Sequence, residues 1–142
     1  MTSYPNPPDE EIKALLQRIK HIAVVGLSPK PDRPSYFVAR ALLDWGYAVT
    51  PVRPATDEVL GRKAWPDLQA VPEPIDLVDI FLNPSRVDAV VDTCIALGLP
   101  ALWLQEGVVN ETAAQRAREA GIMVVMDRCI YKEHRRLLGS QD

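Results

Sequence analysis

Between Val24 and Ala39 the sequence runs VVGLSPKPDRPSYFVA, and its residue types suit the binding of an anion. Gly26 can adopt backbone conformations that bring the main chain close to a ligand. Ser28 supplies a hydroxyl; Lys30 and Arg33 supply positive charge that Asp32 partly offsets. Pro34 is a favoured first residue of a helix, so the amides near Ser35 and Tyr36 are expected to be free to face a negative group. A dinucleotide-binding loop at such a place carries three glycines, whereas this one carries Gly26 alone. Two readings therefore stand side by side: a phosphate-binding turn, and a proline-stiffened turn with solvated charges.

Arg53 and Pro54, after the next apolar run, bear on which anion is meant. NAD-binding folds place an acid there, about 20 residues beyond the glycines, for the ribose hydroxyls. This chain has no carboxylate at that point, which disfavours NAD. An arginine suits a phosphate carried on the ribose, as in coenzyme A or NADP.

The remaining reactive residues offer less. His21 opens an apolar run at the end away from the ligand edge, so a structural role is expected. His134 lies in the basic stretch KEHRR and is expected to be exposed. No Ser-His-Asp arrangement and no metal-ligand spacing is seen. Cys94 falls on an apolar helical stripe, the ordinary place for a buried thiol. Cys129 sits beside Asp127 and Arg128, where an arginine could lower a thiol pKa and an exposed thiol could pair with that of a ligand, although packing is the plainer reading. Glu106 is a candidate general base on a loop. Trp45 and Trp103 read as core, and Trp65 as a residue that covers part of a pocket.

These residues need elements to hold them. Ile12, Leu15, Leu16 and Ile19 recur at helical spacing behind NPPDEE, which predicts an N-terminal helix. HIAVVGL is a β-branched apolar run without polar alternation, as in strands buried on both faces of a parallel sheet. Pro34 to Gly46 reads as a helix, YAVTPV as a second strand, and DLVDIFL as a third. Arg86 to Leu97 is a helix with Val87, Val90, Val91, Cys94 and Ile95 on one stripe. ALWLQ is a fourth strand, Asn110 caps a helix running to Gly121, and IMVVM is a fifth strand. EVLGRKAW reads as a short helix and turn, and YKEHRRLL as a last helical turn or two.

Strand and helix alternate, so the expected fold is α/β: a Rossmann-like, doubly wound, parallel five-stranded sheet with helices on both faces and strand order 3-2-1-4-5. Ligands bind such sheets beyond the carboxyl ends of the strands, where the strand order reverses. The polar and turn residues at those ends, including Asn83-Pro84 and Gln105-Glu106-Gly107, are therefore the candidate site.

Composition sets the outer bounds. The 142 residues suit one domain, with residues 1–20 as a helix packed on it and 131–142 as a tail. A formal charge of -3 argues against a general nucleic-acid binder, which needs a basic face. No apolar run reaches the roughly 18 residues of a membrane span and no secretory leader is seen, so a cytoplasmic protein is expected. Two cysteines are too few for a disulfide scaffold or a zinc site.

Taken together, IAVVGLSPKPDRPSYFVARALLDWGYAVTPVRP, EVLGRKAW, WLQEGVVNE and MDRC resemble the small, stand-alone CoA-binding domain proteins. The fold of that family resembles the CoA-binding domain of the succinyl-CoA synthetase α subunit, and the resemblance covers roughly Ile12 to Leu138. It implies a domain that holds coenzyme A or acyl-CoA as a non-catalytic or regulatory protein. Gly26 and Ser28 would lie along the diphosphate, with the helix start near Ser35 behind them. Arg53 and Pro54 would sit beside the adenosine and its 3′-phosphate. Asn83 and Pro84 match the third strand's ligand loop, and Gln105, Glu106 and Gly107 the fourth strand's, near the pantetheine arm. Lys30, Arg33 and Arg53 are the candidate phosphate partners. The chain departs from the synthetase in having one loop glycine and in lacking the domain that carries the phosphorylated histidine, so acyl-CoA synthesis by that route is not expected. The alternative is a small NADP-dependent reductase or acyl-CoA-handling enzyme whose site is completed by a protein partner or by homodimer formation.

Overall fold

The computed structural model describes residues 6–139. Its elements alternate much as the periodicity predicts. Helix α1 (Asp9–Arg18) begins with three acids in its first turn, where the positive helix end favours them, and buries Ile12, Leu15 and Leu16. Then follow β1 (His21–Val25), α2 (Pro34–Asp44), β2 (Ala48–Val52), β3 (Glu58–Val59), β4 (Arg62–Lys63), β5 (Leu77–Ile80), α3 (Val87–Leu97), β6 (Ala101–Leu104), α4 (Glu111–Glu119), β7 (Met123–Met126) and α5 (Ile130–Leu138). Asn110 caps α4 as expected, its Oδ1 accepting the Ala113 amide at 3.1 Å. Residues 1–5 and 140–142, within the expected N-terminal segment and tail, lie outside the described residues.

Five parallel strands form one sheet in the order β2-β1-β5-β6-β7. The class and strand number are those expected, but the order is not. The third long strand lies beside β1 rather than outside β2, so 3-2-1-4-5 is corrected to 2-1-3-4-5 in the order of the long strands. The cause lies on β2. The outer edge of β2 is occupied by Trp65, whose amide donates to the Pro51 carbonyl at 3.0 Å and whose carbonyl accepts from Arg53 at 2.8 Å. A strand residue turns its nitrogen and carbonyl to the same side, so the missing N–H of Pro51 also falls on that outer edge. Proline fits an edge strand and not an interior one. With β2 closed in this way, the chain must return past β1 to find a neighbour for β5.

The segment EVLGRKAW, expected as a short helix and turn, is instead the hairpin β3–β4. Leu60 and Gly61 turn it with φ of +55° and +73°. Both values are positive, as in the type I′ turn that suits right-twisted strands. Leucine is an unusual choice there, and packing of its side chain on the apolar core offsets the strain.

The sheet separates two apolar layers. Ala23, Val25, Val78, Ile80, Leu102 and Leu104 face α3 and α4. Ile22, Val24, Leu77, Trp103 and Val125 face α1, α2 and α5. The tail after β7 is more than a turn or two: α5 is nine residues long and buries Ile130, Glu133 and His134. His134, expected exposed, is buried, with its ring stacked 3.8 Å from that of Trp45. His21 is structural as expected; its Nδ1 lies 2.6 Å from the Pro74 carbonyl and its Nε2 2.6 Å from the Thr50 hydroxyl. Cys94 is buried, and burial pushes its thiol up to about 12. Among the described residues, no helix is long and apolar enough to cross a membrane.

Candidate functional site

The strand order fixes where the sheet can open. From β1 the chain goes one way through α2 to β2, and later the other way to β5. Connections that leave on opposite sides produce a crevice beyond the carboxyl ends of β1 and its neighbour, the usual ligand position in such sheets. A cleft of about 600 Å³ lies there, lined from β1 by Gly26, from β2 by Arg53 and Pro54, and from β5 by Phe81, Leu82 and Asn83. Pro66 to Gln69 close one side, and Arg86, Ala89, Val90 and Thr93 the other.

Gly26 marks the narrowest approach. Its φ is +85°, and a Cβ added to it would stand 2.2 Å from the Phe81 carbonyl oxygen. Its amide donates to the Val52 carbonyl at 2.9 Å, and the Phe81 amide donates to Val25 at 2.9 Å. The glycine is therefore required where β1 leaves β2 and β5, before any ligand is considered.

Beyond Gly26 the loop is held by its own serines. The Ser28 amide donates to the Ser35 hydroxyl at 3.0 Å, and the Lys30 amide to the Ser28 hydroxyl at 3.1 Å. Both serines are buried, so they shape the turn ahead of α2. The Tyr36 amide, expected free, donates to the Arg33 carbonyl at 3.1 Å. Lys30 and Arg33 stand exposed on the solvent side of the loop.

Of the twelve residues singled out from sequence, Gly26, Arg53, Pro54 and Asn83 meet in the cleft. The loop after β6 does not contribute to the cleft lining. Gln105 turns inward, and its Oε1 accepts the Ile130 amide at 3.2 Å, holding the start of α5. Glu106 pairs with Lys132 at 3.1 Å, which raises the lysine pKa through that hydrogen bond. The Gly107 amide donates to Asp127 at 2.8 Å. The Pro84 carbonyl accepts from the Asn110 side chain at 3.3 Å.

Arg86, Pro66, Asp67, Leu68 and Gln69 line the cleft without having been singled out. The segment 66–69 has no motif, since it reaches the site through the β3–β4 hairpin. Arg86 had a local signal. Asn83 accepts from the Ser85 amide at 3.0 Å and the Ser85 hydroxyl at 2.8 Å, and this turn starts the 3₁₀ segment Pro84–Arg86.

The charge of the cleft is positive. Among the described residues, the Arg53 side chain hydrogen-bonds only to the Gly26 carbonyl, at 3.5 Å. Asp67 is the one acid among the described residues of the lining, and its carboxylate accepts the Ala70 amide at 3.0 Å. Guanidinium groups beside the apolar surfaces of Pro54, Leu68, Leu82 and Val90 can take a ligand with a flat apolar part and phosphates. Coenzyme A is of that kind, and these residues fit it.

Known proteins point the same way. A family model described as a CoA binding domain matches residues 20–135. The uncharacterised protein YneT of Bacillus subtilis (strain 168) is 45% identical over 129 residues, which are 91% of this chain and 96% of that protein. A hypothetical protein from Pyrococcus horikoshii OT3 matches with a TM-score of 0.91 and 41% identity, over 98% of this chain and all of that one (100%). The dinucleotide-forming acetyl-coenzyme A synthetase 1 of Ca. Korarchaeum cryptofilum matches with a TM-score of 0.69 and 27% identity, over 81% of this chain but 28% of that enzyme. The match spans both strands that flank the cleft and the loops that line it, and by it the chain belongs to the family of CoA-binding domains.

Proposed function

We propose that the chain binds coenzyme A, free or acylated, in the cleft at the β1–β5 crevice, and acts as a non-catalytic or regulatory CoA-binding protein. The observation that carries this reading is an arginine in place of an acid where β2 ends, beside a glycine that brings the backbone to the floor of the cleft. Coenzyme A has a diphosphate and a separate ribose phosphate, and so needs cationic contacts at two places. Arg53 serves the ribose phosphate. Lys30, Arg33 and the start of α2 near Ser35 serve the diphosphate, which a helix N-terminus also favours. Asn83 and Pro84 border the path of the pantetheine arm toward Glu106 and Gly107, with Gln105 holding that loop from behind.

Among the described residues, Asp67 is the acid of the lining, and its carboxylate accepts the Ala70 amide. We place the protein in the cytoplasm, with the acyl end of the ligand presented to a partner protein or a second copy of the chain. Isothermal titration with coenzyme A, NADP and NAD tests the reading. Coenzyme A is expected to bind tightest, with Arg53→Ala weakening it about tenfold or more, as loss of a charged hydrogen bond does. Tighter binding of NADP than of coenzyme A overturns it.

A further inference from the structure

We propose that Arg86 is a specificity-determining residue of this cleft, closing with Arg53 on a phosphomonoester of the ligand; the proposal rests on the reading of the cleft as a coenzyme A site. The two arginines come from strands on either side of β1, one from the end of β2 and one from the turn after β5. Arg86 is anchored at its backbone, since its amide donates to the Asn83 carbonyl at 2.8 Å. Its position is thus set by the Asn83 turn, while its side chain is left in solvent at the cleft wall.

Among the described residues, some arginines are neutralised by carboxylates, and others, Arg18, Arg40 and Arg62 among them, are not. Arg116 pairs with Asp88 and Asp92, Arg128 with Glu133, and Arg136 with Asp9 and Glu133. Among the described residues, Arg53 and Arg86 pair with no carboxylate, although they line one cleft. Two guanidinium groups line this cavity, and Asp67, the acid of the same lining, is engaged by the Ala70 amide, so the cavity suits a dianion. A phosphomonoester carries about −1.5 to −2 charges at neutral pH. One arginine leaves that charge half neutralised, and two match it. Each phosphate of the diphosphate carries less charge, and in the coenzyme A reading that group falls to Lys30 and Arg33. The cleft therefore discriminates between ligands that differ only in the ribose phosphate.

Titration of the full chain with coenzyme A and with dephospho-coenzyme A, which lacks that phosphate, tests the proposal. The unsubstituted protein is expected to prefer coenzyme A. Arg86→Gln is expected to reduce that preference about tenfold or more while leaving dephospho-coenzyme A binding nearly unchanged. Arg86→Lys is expected to restore part of the preference, and Arg40→Gln, an exposed charge on α2 away from the cleft, to leave it intact. Equal weakening of both ligands by Arg86→Gln means that the guanidinium contacts the adenine or another shared group, and overturns the proposal. So does an unchanged preference. If the unsubstituted protein binds neither ligand, the coenzyme A reading itself falls, and this proposal with it. Circular dichroism of each variant excludes unfolding as the cause.

Discussion

Gly26 shows how a residue that looks like a ligand contact can first be a folding requirement. A side chain there meets the Phe81 carbonyl at 2.2 Å, and a positive φ costs a residue with a Cβ about 1–2 kcal/mol besides. Gly26→Ala is therefore expected to lower the unfolding free energy by at least that amount, with a lower midpoint of chemical denaturation measured without ligand. An unchanged midpoint would mean that β5 can move away from the turn at no cost. Arg53 is the cleaner probe of binding. It lies at the end of β2, and among the described residues its side chain makes only one long hydrogen bond, so its removal is expected to leave the fold in place while weakening ligand binding.

At the scale of elements, β5 carries the most unusual group in the fold. Asp79 is fully buried, pairs in register with Val24 and Trp103 on the neighbouring strands, and has no hydrogen-bond partner for either carboxyl oxygen among the described residues. Alternation along the strand puts it on the Leu77 side, toward α1, α2 and α5. Burial raises its pKa well above the ordinary value, because a charged carboxylate loses its hydration there. The folded protein then holds a proton that the unfolded chain has already released above about pH 4. Stability is full below that pH and falls as pH rises toward the folded pKa, by about 1.4 kcal/mol per pH unit within the window. Asp79→Asn is expected to be more stable than the unsubstituted protein at pH 7 and to lose this slope. Denaturant titrations from pH 4 to pH 8 check it, and an asparagine variant that is less stable at pH 7 would refute it.

The whole molecule adds an opposing dependence through α5. His134 seats α5 against Trp45 and Tyr47, and burial lowers its pKa. In the unfolded chain it takes up a proton near pH 6.5, whereas the folded state resists charging. Its contribution is complete above that pH and is lost as pH falls toward the lower folded value. Asp79 weakens the protein on the alkaline side and His134 on the acid side. His134→Phe, which keeps an aromatic ring on Trp45, is expected to flatten the decline between pH 7 and pH 5 in thermal melts. An undiminished decline would assign it to other groups.

Much of this is legible in the sequence. The apolar runs of β1, β5, β6 and β7 declare strands buried on both faces, because each must satisfy two layers at once. The helical stripes declare α1, α2 and α3, and Asn110 declares its cap. The family resemblance and the arginine after β2 point to a phosphate-bearing nucleotide. Pro51 carried the strand order as well, since a missing N–H has to face an edge, but its meaning depends on what else lies beside β2. Tertiary structure alone decided that Trp65 closes this edge, that β5 lies against β1, and that the crevice opens between them. It also decided which polar residues meet. Gln105 and the serines of the first loop turned to backbone amides, while Arg86 and the segment 66–69 reached the cleft from distant parts of the chain. Local sequence sets each residue's preferences through short-range sterics and hydrophobicity. Which partners satisfy a polar group depends on neighbours brought together only when the sheet is assembled.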